Sequence, residues 1–193
     1  MQIKPVKWIR LFQCDVLIFD DLCADWLARA IPKSARQERI SIRFSYPILF
    51  CWSFWRVLLT LSVNRLKRTG SSYSLIYLQA LLASIQPKIV LSGADNNESL
   101  AQLAHCMEDI HFIFVQTALR DTNQGFPRNI SLPHYLAFGH CESNIFDVCQ
   151  VKCPRYEPIG SLKLGYALSD PSPPVFSSTD LCFISDHLSL IHI

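Results

Sequence analysis

The sequence lacks the short motifs that would assign a cofactor or a nucleophile directly. It contains no glycine-rich dinucleotide fingerprint and no phosphate-binding loop. Gly160–Gly165 combines two glycines with a lysine, but its spacing matches neither motif. A serine or cysteine nucleophile elbow is also missing. We therefore predict that the chain itself holds no cofactor.

Charge is scarce as well. Charged residues make up only 18% of the 193 residues, whereas 50% are hydrophobic, so a sizeable core can form in one domain, or in one domain plus a fragment. A formal net charge of +2 is too small to indicate nucleic-acid binding. The first residues lack the apolar core of a secretory signal, so we predict a cytoplasmic protein.

The 8 cysteines do not have the spacing of a metal site. His140, Cys141, Cys149 and Cys153 supply one pair of ligands at helical spacing, whereas structural zinc usually takes two pairs. A chain of this length builds a core without disulfides. We therefore predict no metal, and we interpret the cysteines mainly as small buried apolar residues.

Short apolar runs alternate with helix-like segments along the chain. The predicted strands are 14–20, 39–45, 88–93, 110–116, 134–139 and 156–161. The predicted helices are 21–31, 48–66, 73–85, 98–107 and 142–151. This alternation predicts the α/β class, with a Rossmann-like parallel sheet and helices on both faces.

Polar side chains follow the predicted strands, at the end where open α/β sheets bind ligands. Asp20 and Asp95 are the candidate catalytic bases. The candidate substrate-binding residues are Asn96, Asn97, Gln116, Arg120, Gly160 and Ser161. Among them Arg120 carries a guanidinium, which is suited to a phosphate or a carboxylate.

Each polar tip also has a purely structural interpretation. Asp95 or Asn96 would cap the helix that follows them. Arg120 would pair with Asp121 or order its loop. Asp20 and the aspartate after it would form a helix cap and a solvated charge. The sequence alone leaves these alternatives open.

The aromatic segment 47–66 has three possible structures. A buried helix of the core is one. An interfacial helix is the second, with Trp52, Phe54 and Trp55 among lipid headgroups and basic residues facing anionic lipid. A membrane span is the third, although the segment is shorter than the ~20 residues that a span needs and contains Arg56.

Five segments together resemble the surface carbohydrate (surface polysaccharide) biosynthesis proteins of bacteria, which are similar to GT-B glycosyltransferases. They are Asp15–Asp20, Pro87–Asn97, Phe114–Gln116 with Arg120–Asn123, Tyr135–Gly139 and Pro158–Gly165. The most specific is Pro158-Ile-Gly-Ser-Leu-Lys-Leu-Gly165. The family has asparagine-glycine where this chain has Thr117-Ala118, and glycine permits backbone angles that alanine resists.

The resemblance implies a two-domain enzyme with a cleft between Rossmann-like halves. Residues 1–168 would form the acceptor-side domain, 169–179 a Pro/Ser linker, and 180–193 the truncated first strand of a second domain. That second domain would bind a nucleotide-activated donor, so this chain is expected to be an inactive fragment. The expected partner is a sugar or lipid-linked acceptor, with peripheral contact to the inner face of the cytoplasmic membrane through 47–66.

A rival hypothesis gives the chain no catalytic role. It would then be a truncated, non-catalytic α/β fragment or a small membrane-associated binding protein. Fold analogy does not by itself establish chemistry.

Overall fold

The computed structural model describes residues 6–9, 13–42, 46–49, 52–67, 73–119 and 126–169. Its strands are β1 (Val6–Ile9), β2 (Val16–Phe19), β3 (Gln37–Ile40), β4 (Tyr46–Leu49), β5 (Ile89–Ser92), β6 (His111–Val115), β7 (His134–Ala137) and β8 (Arg155–Pro158). Its helices are α1 (Ala24–Ala30), α2 (Trp52–Lys67), α3 (Tyr73–Ile85), α4 (Glu98–Cys106), α5 (Ser143–Cys149) and α6 (Leu162–Ser169). Residues 170–193, which include nearly all of the predicted linker and the strand predicted after it, lie outside the described residues.

Six strands form one sheet in the order β3-β2-β5-β6-β7-β8, with every pairing parallel. If only the strands of this sheet are numbered, in chain order, the spatial order begins 2-1-3-4-5. This is the order of the flavodoxin-like variant of the doubly wound fold. The chain moves from β2 out to β3 and then returns to the other side of β2. The order therefore reverses between β2 and β5. The predicted Rossmann-like α/β sheet is confirmed.

Strand side chains alternate between two cores, one on each face of the sheet, because successive residues of a strand point to opposite faces. In β2, Leu17 and Phe19 belong to the larger core, which also contains side chains from α3, α4 and α5. Val16 and Ile18 belong to the smaller core, which contains side chains from α1 and a contact from Leu162 of α6. Helices therefore cover both faces, as predicted.

The structure corrects the prediction around the aromatic segment. β1 was not predicted, and it pairs in parallel with β4 in a separate two-stranded sheet. Because 46–49 form this strand, α2 begins at Trp52 rather than at Ile48. No helix in the described part of the chain is both long enough and apolar enough to cross a membrane.

Two further boundaries differ from the sequence-based expectation. The second strand of the large sheet was predicted at 39–45, but β3 lies at Gln37–Ile40, where its residues pair with β2. Helix α6 was not predicted. It begins directly after Ser161, whose hydroxyl accepts a hydrogen bond from the Leu164 N–H at 3.3 Å, as an N-cap does.

The cysteines are less uniformly buried than predicted. Among the six that the structure describes, Cys14 and Cys149 are buried, Cys23 and Cys153 are half-buried, and Cys106 and Cys141 are exposed. All six are free thiols. The prediction of small buried residues therefore holds for Cys14 and Cys149 and is wrong for Cys106 and Cys141.

Asp15 ties three strands together at the amino edge of the sheet. Its carboxylate pairs with the Lys88 ammonium at 2.9 Å, just before β5, and accepts hydrogen bonds from the backbone and side chain of Arg36, just before β3, at 3.2 and 3.4 Å. The Lys88 ammonium and the Arg36 groups lower the pKa of Asp15 from 3.8 to about 2.

This clamp predicts an acid-dependent contribution to stability. A carboxylate whose pKa is lowered in the folded state stabilises the protein above its unfolded pKa, and the contribution is lost as the pH falls through 3.8 toward about 2. Asp15→Asn should therefore flatten the dependence of the unfolding free energy on pH in this interval. Urea unfolding at a series of pH values measures it, with the exposed Asp109→Asn as control. If the unfolding free energy of the parent protein, of Asp15→Asn and of Asp109→Asn changed equally with pH, the stabilising role of the Asp15 contacts would be contradicted.

Candidate functional site

The carboxyl ends of the strands meet at one edge of the six-stranded sheet. Phe19 of β2 is in register with Ser92 of β5, and Ser92 with Phe114 of β6, so the residues that follow these strands lie side by side. In doubly wound sheets the ligand binds outside the carboxyl ends at the reversal of strand order. Here that point lies between Asp20, after β2, and the segment after β5.

Asp20 occupies this point with a left-handed backbone. Its φ is 78°, a region that is rare for residues other than glycine but tolerated by aspartate. The side chain is 6% exposed, and its Oδ1 accepts a hydrogen bond from the Asp21 N–H at 2.6 Å. Strained backbone of this kind concentrates at functional sites, where the surroundings hold it in place. The predicted catalytic position of Asp20 therefore lies at the switch point, and its catalytic role stays a prediction.

Asp95, the second predicted base, is fully buried after β5. Its Oδ2 accepts a hydrogen bond from the Tyr135 hydroxyl of β7 at 2.9 Å. Burial raises the pKa of the half-buried Cys23 thiol, and Asp95 raises it further against the opposing effect of Lys163. The charge of Asp95 therefore acts on Cys23, the residue that precedes α1.

Gln116 joins the tips of β6 and β7. Its Nε2 donates to Glu142 Oε1 at 2.9 Å and to the Ala118 carbonyl at 3.1 Å. Its Oε1 accepts a hydrogen bond from the Phe138 N–H at 2.7 Å. Since both ends of the amide are bonded within the protein and the residue is 3% exposed, Gln116 fixes the backbone of this edge. A direct substrate contact by Gln116 stays a prediction.

Glu142 is a functional candidate that the sequence analysis missed. It is 3% exposed, and it accepts hydrogen bonds from Gln116 and from the Cys141 thiol, the latter at 3.1 Å to Oε2. Burial acts to raise the pKa of Glu142, but the hydrogen bonds from Gln116, Cys141 and nearby backbone N–H groups outweigh it and lower the pKa below 4.5. The bond to Glu142 raises the pKa of the Cys141 thiol. The only sequence signal that could have identified Glu142 is its position shortly after Gly139, at the tip of a predicted strand.

The cap of α4 differs from the prediction. Asn97, not Asp95 or Asn96, is the N-cap, because its side-chain oxygen accepts a hydrogen bond from the Leu100 N–H at 3.0 Å. Asn97 was predicted to bind substrate, and its side-chain oxygen is already used in this cap. Asn96 is exposed next to it and is available to a ligand.

Gly160 and Ser161 lie between β8 and α6. Gly160 adopts φ 83°, which a side chain would resist, and Ser161 caps α6. Ser161, Gln116, Cys23 and Lys163 line one small cavity of about 60 Å³. Ser161 and Gln116 therefore lie at the same cavity, and their binding of a substrate stays a prediction. Arg120 lies outside the described residues.

The backbone at Thr117-Ala118 adopts angles that do not require glycine. Neither residue has a positive φ within the described part of the chain. The Thr117 hydroxyl instead donates to the Gly93 carbonyl at 3.1 Å, which ties the tip of β6 to the tip of β5. The departure from asparagine-glycine is thus compatible with an ordered loop here.

Metal binding finds no support in this edge. Among the residues that the structure describes, no group of three or more His, Cys, Asp or Glu side chains is placed to hold a metal ion. A larger groove of about 830 Å³ lies elsewhere, between α4 and the segments that precede β7 and β8, and it contains none of the predicted site residues.

Comparison of the chain with protein-family models, curated proteins and solved structures finds no match. The family resemblance therefore remains a prediction, and the parallel sheet with its carboxyl edge is what the structure itself establishes.

Gly93 is predicted to be intolerant of any side chain. A Cβ there would lie 2.6 Å from the Leu22 carbonyl oxygen and 2.9 Å from Thr117 Cγ2, so the backbone of the β2–α1 turn would have to move. Gly93→Ala should destabilise the fold by about 1–3 kcal/mol, as overpacking does. Denaturant unfolding measures this, and Gly165→Ala, where a Cβ meets nothing within 4 Å, is the control. An unchanged midpoint for Gly93→Ala would show that the turn and strand tip are not in contact.

The buried Glu142 predicts a second acid-sensitive contribution. Because its pKa is lowered below 4.5 in the folded state, its ionised form stabilises the fold above that pH, and the stabilisation is lost as the pH falls below it. Glu142→Gln should lower the unfolding free energy at pH 7 by about 1.5–3 kcal/mol, the range for a hydrogen bond to a charged group. The substitution should also weaken the dependence of the unfolding free energy on pH. The exposed Glu108→Gln should do neither, and a loss equal to this control would disprove the network.

Proposed function

We propose that the carboxyl edge of the sheet binds a sugar acceptor, and that the chain is the acceptor-side part of a glycosyltransferase-like protein of bacterial surface polysaccharide biosynthesis. It would act in the cytoplasm, on an acceptor carried by lipid at the inner face of the membrane. The proposal combines the resemblance of five segments with the position of the polar tips.

The observation that carries the proposal is the pair of buried aspartates, Asp20 and Asp95, on the tips of adjacent parallel strands at the switch point. Carboxylate oxygens accept hydrogen bonds from sugar hydroxyls, and a carboxylate can take the proton of the attacking hydroxyl. Asp20 is the preferred base. Asp95, which is fully buried and bonded to Tyr135, would hold the tip of β5 in place beside the sugar.

The donor would bind elsewhere. A nucleotide-activated sugar needs a cradle for its phosphates, and the sequence has no phosphate-binding loop. By the resemblance, the donor site belongs to a second Rossmann-like half that would start near residue 180. This division of roles predicts that residues 1–193 bind acceptor sugars but not nucleotide sugars.

A binding experiment on the chain tests both parts. Two-dimensional NMR titration with glycosides and sugar phosphates should shift backbone signals at 20–23, 93–97 and 138–142, whereas nucleotide sugars should shift none. Asp20→Asn should weaken the binding by about tenfold or more, as expected for loss of a charge-assisted hydrogen bond. Calorimetry with nucleotide sugars should show no heat of binding.

The exposed Asp109→Asn is the matched control and should bind as the parent does. Absence of any sugar-induced shift, or shifts confined to other surfaces, would reject the acceptor site. Tight binding of a nucleotide sugar would reject the division of roles.

A non-catalytic binding role is the second candidate. It is favoured by the bonding of Gln116 and Asp95 within the protein, which makes the edge a fixed surface. Sugar binding that Asp20→Asn leaves unchanged would favour this role over the catalytic one.

A further inference from the structure

We propose that the small sheet and α2 form a docking surface for anionic lipid membranes. The surface consists of Trp8 from β1 and of Trp52, Arg56 and Leu59 from α2, and it is called here the tryptophan face. Trp8 is 58% exposed, Trp52 76% and Leu59 60%. Large side chains exposed together in this way are uncommon on proteins that bind nothing there.

Helix α2 has two different sides. Trp52, Arg56 and Leu59 recur at helical spacing and are exposed. Phe54, on the other side, is 1% exposed, and Leu58 and Leu61 pack with it against the larger core. The helix is therefore held by one side, and its other side faces outward.

The inner contacts fix the orientation of the tryptophan face. The Phe54 ring packs edge-on against Tyr77 of α3, with the ring centroids 6.2 Å apart. The Tyr77 hydroxyl donates to the Pro47 carbonyl of β4. Trp8 joins the surface through Trp55, since their ring centroids are 6.2 Å apart. Trp8 thus extends the exposed surface from the helix onto the small sheet.

The charge of this part of the chain selects the partner. Residues 1–14 and 39–94 contain no aspartate or glutamate. They do contain lysines and arginines, and those that belong to or immediately flank β1 and α2 are Lys4, Lys7, Arg10, Arg56, Arg65, Lys67 and Arg68. Among them, Arg56 is exposed on the tryptophan face. Because the segments that carry this face contain basic and no acidic residues, its charge is complementary to an anionic lipid headgroup layer.

The depth of insertion follows from the same residues. Tryptophan prefers the headgroup region because its ring is apolar and its N–H stays hydrated. Arg56 lies between Trp52 and Leu59 in the sequence and would contact lipid phosphates while the neighbouring side chains enter the interface. Helix α2, with 16 residues, would lie in the plane of the membrane.

This inference is independent of sugar binding. Membrane docking would serve the proposed function by bringing the carboxyl edge to a lipid-linked acceptor, but vesicle binding can be present in a protein that binds no sugar. Conversely, a sugar site that works in solution would survive the loss of the tryptophan face. A negative result in the vesicle experiment can therefore be distinguished from a negative result in the sugar-binding experiment.

Vesicle flotation tests the proposal. The protein should float with phosphatidylcholine vesicles that contain phosphatidylglycerol, and only weakly with phosphatidylcholine alone. Trp8→Ser combined with Trp52→Ser should lower the partition coefficient more than about tenfold, because it removes most of the inserted apolar area. Arg56→Gln should lower it about fivefold, the effect of one cation near an anionic surface. Added salt should weaken binding to the anionic vesicles.

Leu168→Ser is the matched control, because Leu168 is 75% exposed on α6. Leu162 of α6 packs against the smaller core, whereas Phe54 of α2 lies in the larger core on the other face of the sheet. The Leu168→Ser variant should leave flotation unchanged, and circular dichroism should show that all variants remain folded. No flotation of the parent protein, or equal flotation of the tryptophan double variant, would overturn the proposal. A parent protein that is dimeric in ultracentrifugation and becomes monomeric on Trp8→Ser and Trp52→Ser would also overturn it, since a second copy would then cover the face.

Discussion

The candidate site depends on one side-chain amide. Gln116 connects the end of β6 to the turn after β7, because its oxygen accepts from Phe138 and its nitrogen donates to Glu142. Neighbouring parallel strands are hydrogen-bonded along their length, but the residues after their ends have no ladder to hold them. Beyond the strand ends, the buried Gln116 amide takes the place of the backbone hydrogen bonds, because its oxygen and its nitrogen are both bonded to the segment after β7. The Tyr135–Asp95 and Thr117–Gly93 hydrogen bonds continue the connection across to β5.

These links explain how several polar side chains of the edge can be buried. Most of the carboxylates and amides that the sequence suggests as ligand contacts are hydrogen-bonded to other groups of the protein. Hydrogen bonds in such a buried network reinforce each other, and a missing partner is costly. The side chains that remain open to a ligand lie around the network, as Asn96 and Lys163 do.

The sheet could be predicted from the sequence because local patterns determine it. The apolar run of β2 and the stripe of α3 are visible in the sequence without any partner, whereas the strand order, and with it the switch point, is known only from the structure. The partners of Asp95 and Gln116 could not be predicted, because Tyr135 is 40 and Glu142 is 26 residues away along the chain. β1 was missed because a four-residue strand in a two-stranded sheet has too little pattern of its own. α6 was missed because it buries no residue and contains a glycine.

The close approach at Gly93 determines from which side a ligand can reach the edge. The carbonyl of Leu22 lies against the Cα of Gly93, so the backbone of the β2–α1 turn fills the gap between the two strand tips. The space between these two tips is therefore closed by main chain, so a ligand of the proposed site would contact the tips from outside the sheet.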